Sequence, residues 1–417
     1  MRRNEYIIFL CFLLGITFLS QCAPKISYNY ITDAQSLDEV ASRFSVQKES
    51  KACSDPLSYA PYDHLLHPMR TVRINVHFMN NENKEYGFNE KDGPKYMHNL
   101  LNVANDKLSR NQKMNLPHGN DTDALSPQYR YKLWPIKGNN DGYLYHYDDE
   151  HCFFVNKGKN KNNYNKDVIK KYAIGTDSIL NIFVIPHHPD SLATGKYKAS
   201  RTGIALGTSL KIAGLCENRE KPWKFSPLLN HEIGHIFGLR HSWYRNDGCD
   251  DTPVHANCWQ PNDTEKCKDP VSNNMMDYNY SQMAITPCQL GKIHKTFASI
   301  DGELRGLVVP DWCNLDESQT IRVTGNDVWS GALDLSYNVV VESGATLEIK
   351  CRVSMPKNSS ITVEPGGKLI LNHCRIHNDC GDKWKGIKLK HTKNESALVE
   401  YHGDVLLENV MQDSLPD

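Results

Sequence analysis

The alternation of apolar and polar positions predicts a mixed domain in the first three quarters of the chain. Over 71–78, apolar residues alternate with polar ones and predict a strand, at Val72, Ile74, Val76 and Phe78. Alternation also predicts a strand at 129–133, a largely apolar run predicts a buried strand at 179–185, and a further short strand is predicted at 202–213. Helical spacing predicts helices at 93–109 and from 226 onward. This order of elements predicts an α+β domain with a twisted sheet above the last helix.

A repeat in the last quarter predicts a second, β-rich domain over 314–417. Residues 338–349 match residues 360–371 at an offset of 22, so that Val341 corresponds to Val363. A period of this length with glycine turns predicts stacked rungs of a β-solenoid. The alternative is a small β-sandwich in which two hairpins resemble each other by chance.

Length and charge limit what the protein can bind. The 417 residues exceed one typical domain, so we expect two domains plus extensions. With 48 basic and 49 acidic residues the net charge is −1, and no long run of like charge stands out. We therefore expect no nucleic-acid partner.

The N-terminus has the layout of a secretory signal. Arg2 and Arg3 precede an apolar run from Ile7 to Leu19, which is too short for an ordinary membrane span. We expect residues 1–22 to be a signal peptide and the protein to be exported from a bacterium, either extracellular or as a lipoprotein of the outer membrane or cell surface. Its segment ending at Cys22 resembles a lipobox, and acylation of Cys22 would be the one link to a membrane.

Residues 231–241 read His-Glu-Ile-Gly-His-Ile-Phe-Gly-Leu-Arg-His and predict a metal site. His231 and His235 are four apart, so both imidazoles project from one face of a helix. Glu232 can reach a water molecule at the metal without ligating the metal. Gly238 can adopt the left-handed conformation that ends the helix and brings His241 round as a third ligand. Three protein ligands with an open position are typical of catalytic Zn²⁺.

Three further motifs follow these histidines. They read Gly-Cys-Asp-Asp-Thr-Pro at 248–253, Asn-Met-Met-Asp-Tyr at 274–278 and Ile-Thr-Pro-Cys-Gln at 285–289. Together with the histidine motif they resemble the pappalysin family of metzincin zinc peptidases, over about 71–305. The resemblance implies a metzincin catalytic domain that cleaves protein or peptide substrates with one Zn²⁺. It implies ligand roles for three histidines, the role of base for Glu232, a position beneath the imidazoles for Met276 and the role of transition-state donor for Tyr278.

The implied chemistry is hydrolysis of a peptide bond. Zn²⁺ lowers the pKa of water toward about 7, and Glu232 takes the proton and delivers it to the leaving nitrogen. Tyr278 would stabilise the developing oxyanion. Two alternatives remain. One is a surface adhesion or scaffold protein with a vestigial zinc domain, in which the β-repeat tail carries the function, and the other is hydrolysis of a non-peptide amide.

Residues 23–70 lack periodicity and are interpreted as a surface arm or pro-segment. This segment contains Cys53, and some pappalysins are held latent by a pro-segment thiolate at the open zinc position. The alternative is a disulfide from Cys53 to the catalytic domain. For the acidic turn at Asp250 and Asp251 we favour a solvated turn over the Ca²⁺ site known in some relatives.

The other cysteines predict a disulfide framework. Outside the expected signal peptide there are eleven, an odd number that leaves at least one without a partner in the chain. We expect the four cysteines at 249, 258, 267 and 288 to cross-link the segment between His241 and the turn at Met276. Cys374 and Cys380 are close enough in sequence to pair within the tail.

Overall fold

The computed structural model describes residues 26–31, 51–193, 202–243, 246–268 and 270–411. The expected signal peptide and the expected lipidation site at Cys22 lie outside the described residues. Within the described part of the chain, no helix is both long enough and apolar enough to cross a membrane.

The described elements are six α-helices and seventeen strands. The helices are α1 Lys51–Ser54, α2 Gly93–Ser109, α3 Asp167–Tyr172, α4 Pro189–Ala193, α5 Ser226–Ile236 and α6 Pro287–Ala298. The strands of the first part are β1 Ser27–Ile31, β2 Arg70–Asn80, β3 Tyr129–Leu133, β4 Tyr143–Tyr147, β5 Leu180–Val184, β6 Thr202–Leu206 and β7 Ser209–Ala213. Those of the last part are β8 Thr320–Val323, β9 Asn326–Trp329, β10 Leu333–Asp334, β11 Asn338–Val341, β12 Thr346–Ile349, β13 Arg352–Ser354, β14 Ile361–Val363, β15 Lys368–His377, β16 Ile387–His391 and β17 Leu398–Leu407.

A six-stranded sheet organises the first part. Its order is β3-β2-β5-β7-β6, with β4 beside the second half of the long strand β2, and every pairing is parallel except that of β6 with β7. The helix over 93–109 is confirmed, and the strands predicted near 71–78, 129–133 and 179–185 are present. The single strand predicted over 202–213 is wrong, because Gly207 adopts a φ of +75° and folds this segment into an antiparallel hairpin.

One face of this sheet carries the helices that form the core. The inward residues of β2 and β5 are fully buried, and α2 and α5 pack against them through Leu100, Leu229 and Ile233. The edge strand β6 lies beside α5, as two close contacts of Glu232 with this strand show. This placement leaves a cleft between β6 and the first turns of α5.

The last part of the chain consists of parallel strands in two sheets. Corresponding residues of the repeat lie side by side, since Val341 pairs with Val363 and Leu347 with Leu369 in parallel register. The side chains that point between the sheets are buried and mostly aliphatic. Hairpins of a small sandwich would instead pair in antiparallel fashion, so the offset of 22 reflects strand stacking.

The described residues before β2, at 26–31 and 51–69, contact both parts of the chain. Strand β1 pairs antiparallel with β16 of the last part. Residues 56–59 form a 3₁₀ helix against α6, where a Cβ on Gly291 would lie 2.0 Å from the Pro56 carbonyl oxygen. Only glycine permits so close an approach. Tyr59 is 1 % exposed whereas Leu57 is 49 % exposed, so this short helix is buried on one side.

Charged groups are buried where the two parts meet. The Asp334 carboxylate accepts hydrogen bonds from Arg305 and Arg352 at 2.7 Å, and Arg70 donates to its backbone carbonyl. A disulfide joins Cys313 to Cys380 across this junction. The predicted Cys374–Cys380 pair is therefore wrong, since Cys374 is a buried thiol that points into the apolar core.

Candidate metal centre and cleft

Helix α5 positions the first two histidines. Its apolar residues Leu229 and Ile233 are fully buried against the sheet, so that His231 and His235 share the face toward the cleft. The chain leaves the helix at Gly238, whose φ of +87° is in the left-handed region. This turn brings His241 beside the other two rings, where the sequence predicted it.

The three imidazoles converge on one point. Their Nε2 atoms are 3.1 Å apart between His231 and His235, 3.0 Å between His235 and His241 and 3.2 Å between His241 and His231. Three nitrogens that each bind one tetrahedral Zn²⁺ at 2.0–2.1 Å lie about 3.3 Å from one another. The donor set therefore fits a single zinc ion.

Backbone carbonyls orient two of the rings. His231 donates through Nδ1 to the Met275 carbonyl oxygen and His235 through Nδ1 to that of Leu239, both at 2.9 Å. A proton at Nδ1 leaves the Nε2 lone pair free to bind a metal. Burial lowers the pKa of His231 to about 3 and that of His241 to about 4, which favours the neutral imidazoles that ligate.

The Glu232 side chain is held in place by the edge strand β6. Its carboxylate accepts a hydrogen bond from the Ala205 backbone N–H at 3.1 Å. A Cβ on Gly203 would lie 2.3 Å from the Glu232 Cγ, so only glycine leaves space for the side chain. Burial raises the pKa of Glu232 to about 7, although the hydrogen bond from Ala205 opposes the rise. A carboxyl group with such a pKa can both accept and return a proton near neutral pH.

Met276 forms the floor of the histidine cluster. The residue is fully buried, and its Sδ lies 2.5 Å from the position that a Cβ on Gly234 would take. Gly234 is on α5 between the two helical histidines. The thioether therefore packs against the helix backbone between His231 and His235.

Tyr278 lies beside the cluster with its side chain half exposed. Its ring centroid is 5.6 Å from that of His231 and 5.0 Å from that of His241. Trp243 stacks on His241 with the centroids 4.0 Å apart, and it also contacts Tyr278. Burial and the charge of Glu232 raise the pKa of Tyr278, so the hydroxyl stays protonated and can donate a hydrogen bond.

A cleft beside His231 has a volume of about 710 Å³. One wall is formed by β6 and the first turns of α5, and the other by Trp259, Tyr278, Asn279, Tyr280 and Gln282. Both His231 and Glu232 line it, so an extended segment in the cleft would reach the metal centre and the carboxylate together.

Asp277 is a site residue that the sequence analysis missed. The buried carboxylate accepts hydrogen bonds from the backbone N–H of Ser242 at 3.1 Å and from its hydroxyl at 2.6 Å, and it forms an ion pair with His255 at 3.0 Å. Since Ser242 follows His241, these bonds fix the third histidine to the turn that contains Met276. The sequence feature that could have identified Asp277 is its position as an acidic residue between Met276 and Tyr278 in the motif.

Cys53 does not lie at the metal centre in this structure. It forms a disulfide with Cys351 in the last part of the chain. A disulfide sulfur carries no thiolate, so the predicted latency ligand is wrong in this state. The alternative disulfide to the catalytic domain is wrong as well, because the N-terminal segment is linked across to the β-rich part.

The acidic turn at Asp250 and Asp251 contacts the start of helix α6. Asp250 is exposed, but the Asp251 carboxylate accepts hydrogen bonds from the Thr286 hydroxyl at 2.7 Å and from the Cys288 N–H at 2.9 Å. Asp251 therefore stabilises the N-terminus of α6. The neighbouring cysteines form Cys249–Cys288 and Cys258–Cys267, and the first of these pairs reaches beyond the turn at Met276 into α6.

Comparisons with known proteins give limited similarity. No protein-family model matches the chain, and the comparison with curated proteins gives no match. Among solved structures, mirolysin in complex with compound 9 is 21 % identical with a TM-score of 0.42, over 57 % of this chain and 96 % of that one. Mature mirolysin of Tannerella forsythia in complex with a cleaved peptide is 19 % identical with a TM-score of 0.41, over 57 % and 95 %. Similarity at this level carries no argument about function, which depends on the geometry of the site.

Proposed function

We propose that this chain is an exported zinc-dependent endopeptidase of the metzincin type, similar to the pappalysins. The observation that carries the proposal is the convergence of three imidazole Nε2 atoms within 3.2 Å of one another, next to the buried carboxylate of Glu232. His231, His235 and His241 would hold the ion. An open cleft above them suits an extended peptide.

The chain's own residues account for the proton transfers. A bound Zn²⁺ supplies the Lewis acidity that makes water nucleophilic near neutral pH. Glu232 accepts the proton from the attacking water and passes it to the nitrogen of the leaving amine. The Tyr278 hydroxyl donates a hydrogen bond to the oxyanion that develops on the scissile carbonyl. Met276 and Asp277 keep the imidazoles in place and take no part in proton transfer.

We further infer that the last part of the chain is a short β-solenoid. The parallel register at an offset of 22 supports this interpretation. The four disulfides among the described residues are consistent with export, because disulfides persist in oxidising compartments. Export itself and lipidation at Cys22 stay predictions from the sequence.

The substitution Glu232→Gln tests the proposal. We expect the variant to bind one Zn²⁺ per chain and to lose about 10²–10⁴-fold in kcat, because the amide cannot accept the proton. Zinc content and hydrolysis of a mixed peptide library measure the two effects. The matched control is Glu265→Gln, at an exposed glutamate, which should hydrolyse the library like the wild type.

Two results would contradict the peptidase proposal. Zinc-loaded wild-type protein that cleaves no peptide would favour the adhesion or scaffold alternative, or a non-peptide amide if small amides are hydrolysed. Near-wild-type turnover by zinc-loaded Glu232→Gln would exclude the carboxylate as the base.

A further inference from the structure

Three large aromatic side chains are exposed along the wall of the cleft. Trp259 and Tyr278 are each 50 % exposed, and Tyr280 is 60 % exposed. Single exposed aromatics are common on protein surfaces, but several that line one cleft indicate an interaction site. Tyr278 has a role beside the metal centre, which leaves Trp259 and Tyr280 without a function in the mechanism.

Covalent and backbone bonds fix these two residues. Trp259 follows Cys258, which forms a disulfide with Cys267, and the two buried cysteines form a small apolar cluster with Val271. The Tyr280 N–H donates to the Trp259 carbonyl oxygen at 2.9 Å. Their backbones are therefore fixed before any ligand arrives, which reduces the entropy lost on binding.

The charges of the cleft narrow the class of side chain that fits there. Among the described residues that line it, Lys224 and Glu232 are the charged ones. The Glu232 carboxylate accepts a hydrogen bond from the Ala205 N–H. The described residues that line the cleft include no second carboxylate that could bind a basic side chain. Leu228 and Pro227 continue the apolar surface on the opposite wall.

We propose that Trp259 and Tyr280 form an aromatic subsite that selects an apolar, preferably aromatic, side chain next to the scissile bond of the substrate. The proposal rests on the proposed peptidase function and names its substrate class. An aromatic ring stacked on Trp259 would bury apolar surface that is otherwise exposed to water and gain a favourable ring contact.

Peptide binding to zinc-loaded Glu232→Gln tests the subsite independently of turnover. Two fluorescent peptides are compared by anisotropy: one with phenylalanine beside the central bond and one with alanine there. We expect the phenylalanine peptide to bind about tenfold more tightly, and Trp259→Ala or Tyr280→Ala in the same background to remove most of that difference. Trp223→Ala is the matched control, since Trp223 is also 50 % exposed but does not line the cleft.

Cleavage-site profiling of the active protein gives the second readout. We expect apolar and aromatic residues to be enriched at one position, and Trp259→Ala to raise KM for such peptides more than it lowers kcat. Equal affinity for the two peptides, or a preference for lysine and arginine, would overturn the subsite. The wild type would still hydrolyse peptides in that case, whereas failure of the peptidase proposal would leave no cleavage at all. Unchanged zinc content and melting temperature of Trp259→Ala would show that the variant is folded.

Discussion

The cleft and the β-rich part of this chain bury different kinds of side chain. Beneath the cleft lie buried polar groups, among them His231, Glu232 and Asp277, and each is held by a specific partner. Between the parallel sheets the buried side chains are mostly aliphatic and recur with the repeat. Burial of polar groups costs free energy unless they are paired, so it occurs where a geometry must be fixed. Burial of aliphatic groups stabilises the fold without specifying chemistry.

The junction between the two parts combines both features. Asp334 and Arg305 are buried and Arg352 is largely buried, but these charged residues lie away from the cleft and face one another. We therefore expect substitutions at the junction to change stability, and substitutions at the cleft to change zinc binding or turnover.

The largest expected effect is that of Asp334→Asn at the junction. Loss of the carboxylate removes the buried negative charge that pairs with Arg305 and Arg352. We expect this loss to lower the free energy of unfolding by about 3–5 kcal/mol. Urea denaturation at pH 7 measures the change. Glu342→Gln is the control, because its pair with Arg322 is exposed to solvent and should contribute at most about 1 kcal/mol.

The same carboxylate gives a pH dependence. Burial alone would raise the pKa of Asp334, but Arg352 and Arg305 hold it far below its usual range. Because the folded pKa lies below the unfolded value of about 3.9, the stabilisation is complete above that pH and is lost as the pH falls toward the folded pKa. Wild-type stability should therefore decline below about pH 4 more steeply than that of Asp334→Asn. Identical acid profiles for the two proteins would contradict this role.

The second effect concerns the cleft and should leave stability almost unchanged. A Cβ on Gly203 would lie 2.3 Å from the Glu232 Cγ and displace the carboxylate from the Ala205 N–H. We expect Gly203→Ala to lower kcat about 10²-fold with zinc content unchanged, as a displaced proton acceptor would. Gly325→Ala is the control, since its Cβ would meet nothing within 4 Å. Wild-type turnover in Gly203→Ala would show that the edge strand does not position the base.

The smallest effect is expected at Asp277, where a substitution should change both zinc affinity and stability. Asp277→Asn would weaken the bonds that fix Ser242 and His255, and with them the position of His241. We expect about a tenfold loss of zinc affinity with a modest change in stability, measured by competition with a chelator. Asp250→Asn, at an exposed residue of the nearby turn, should leave the affinity unchanged. If Asp277→Asn instead unfolds the protein, substitutions at the cleft affect stability as much as those at the junction. The expected difference between the two regions would then be wrong.

Much of this architecture could be predicted from the spacing of residues along the chain. The interval of four between His231 and His235 places both rings on one helix face whatever surrounds the helix. Alternation over 71–78 predicted β2, and the offset of 22 predicted which residues lie side by side in the β-rich part. Each of these features depends on neighbours along the chain or on a repeated unit.

Contacts between distant segments were decided only by the tertiary structure. The pairing of Cys53 with Cys351 spans 298 residues, and no local pattern distinguishes it from the latency ligand that the resemblance implied. The hydrogen bond from Ala205 to Glu232 and the network around Asp277 likewise require the sheet, helix and turn to be assembled. The sequence by itself thus determined the residue types of the proposed metal centre and the periodicity of the strands. Three-dimensional packing determined the partners that hold these residues, because hydrogen bonds and disulfides depend on distance in space and not on spacing along the chain.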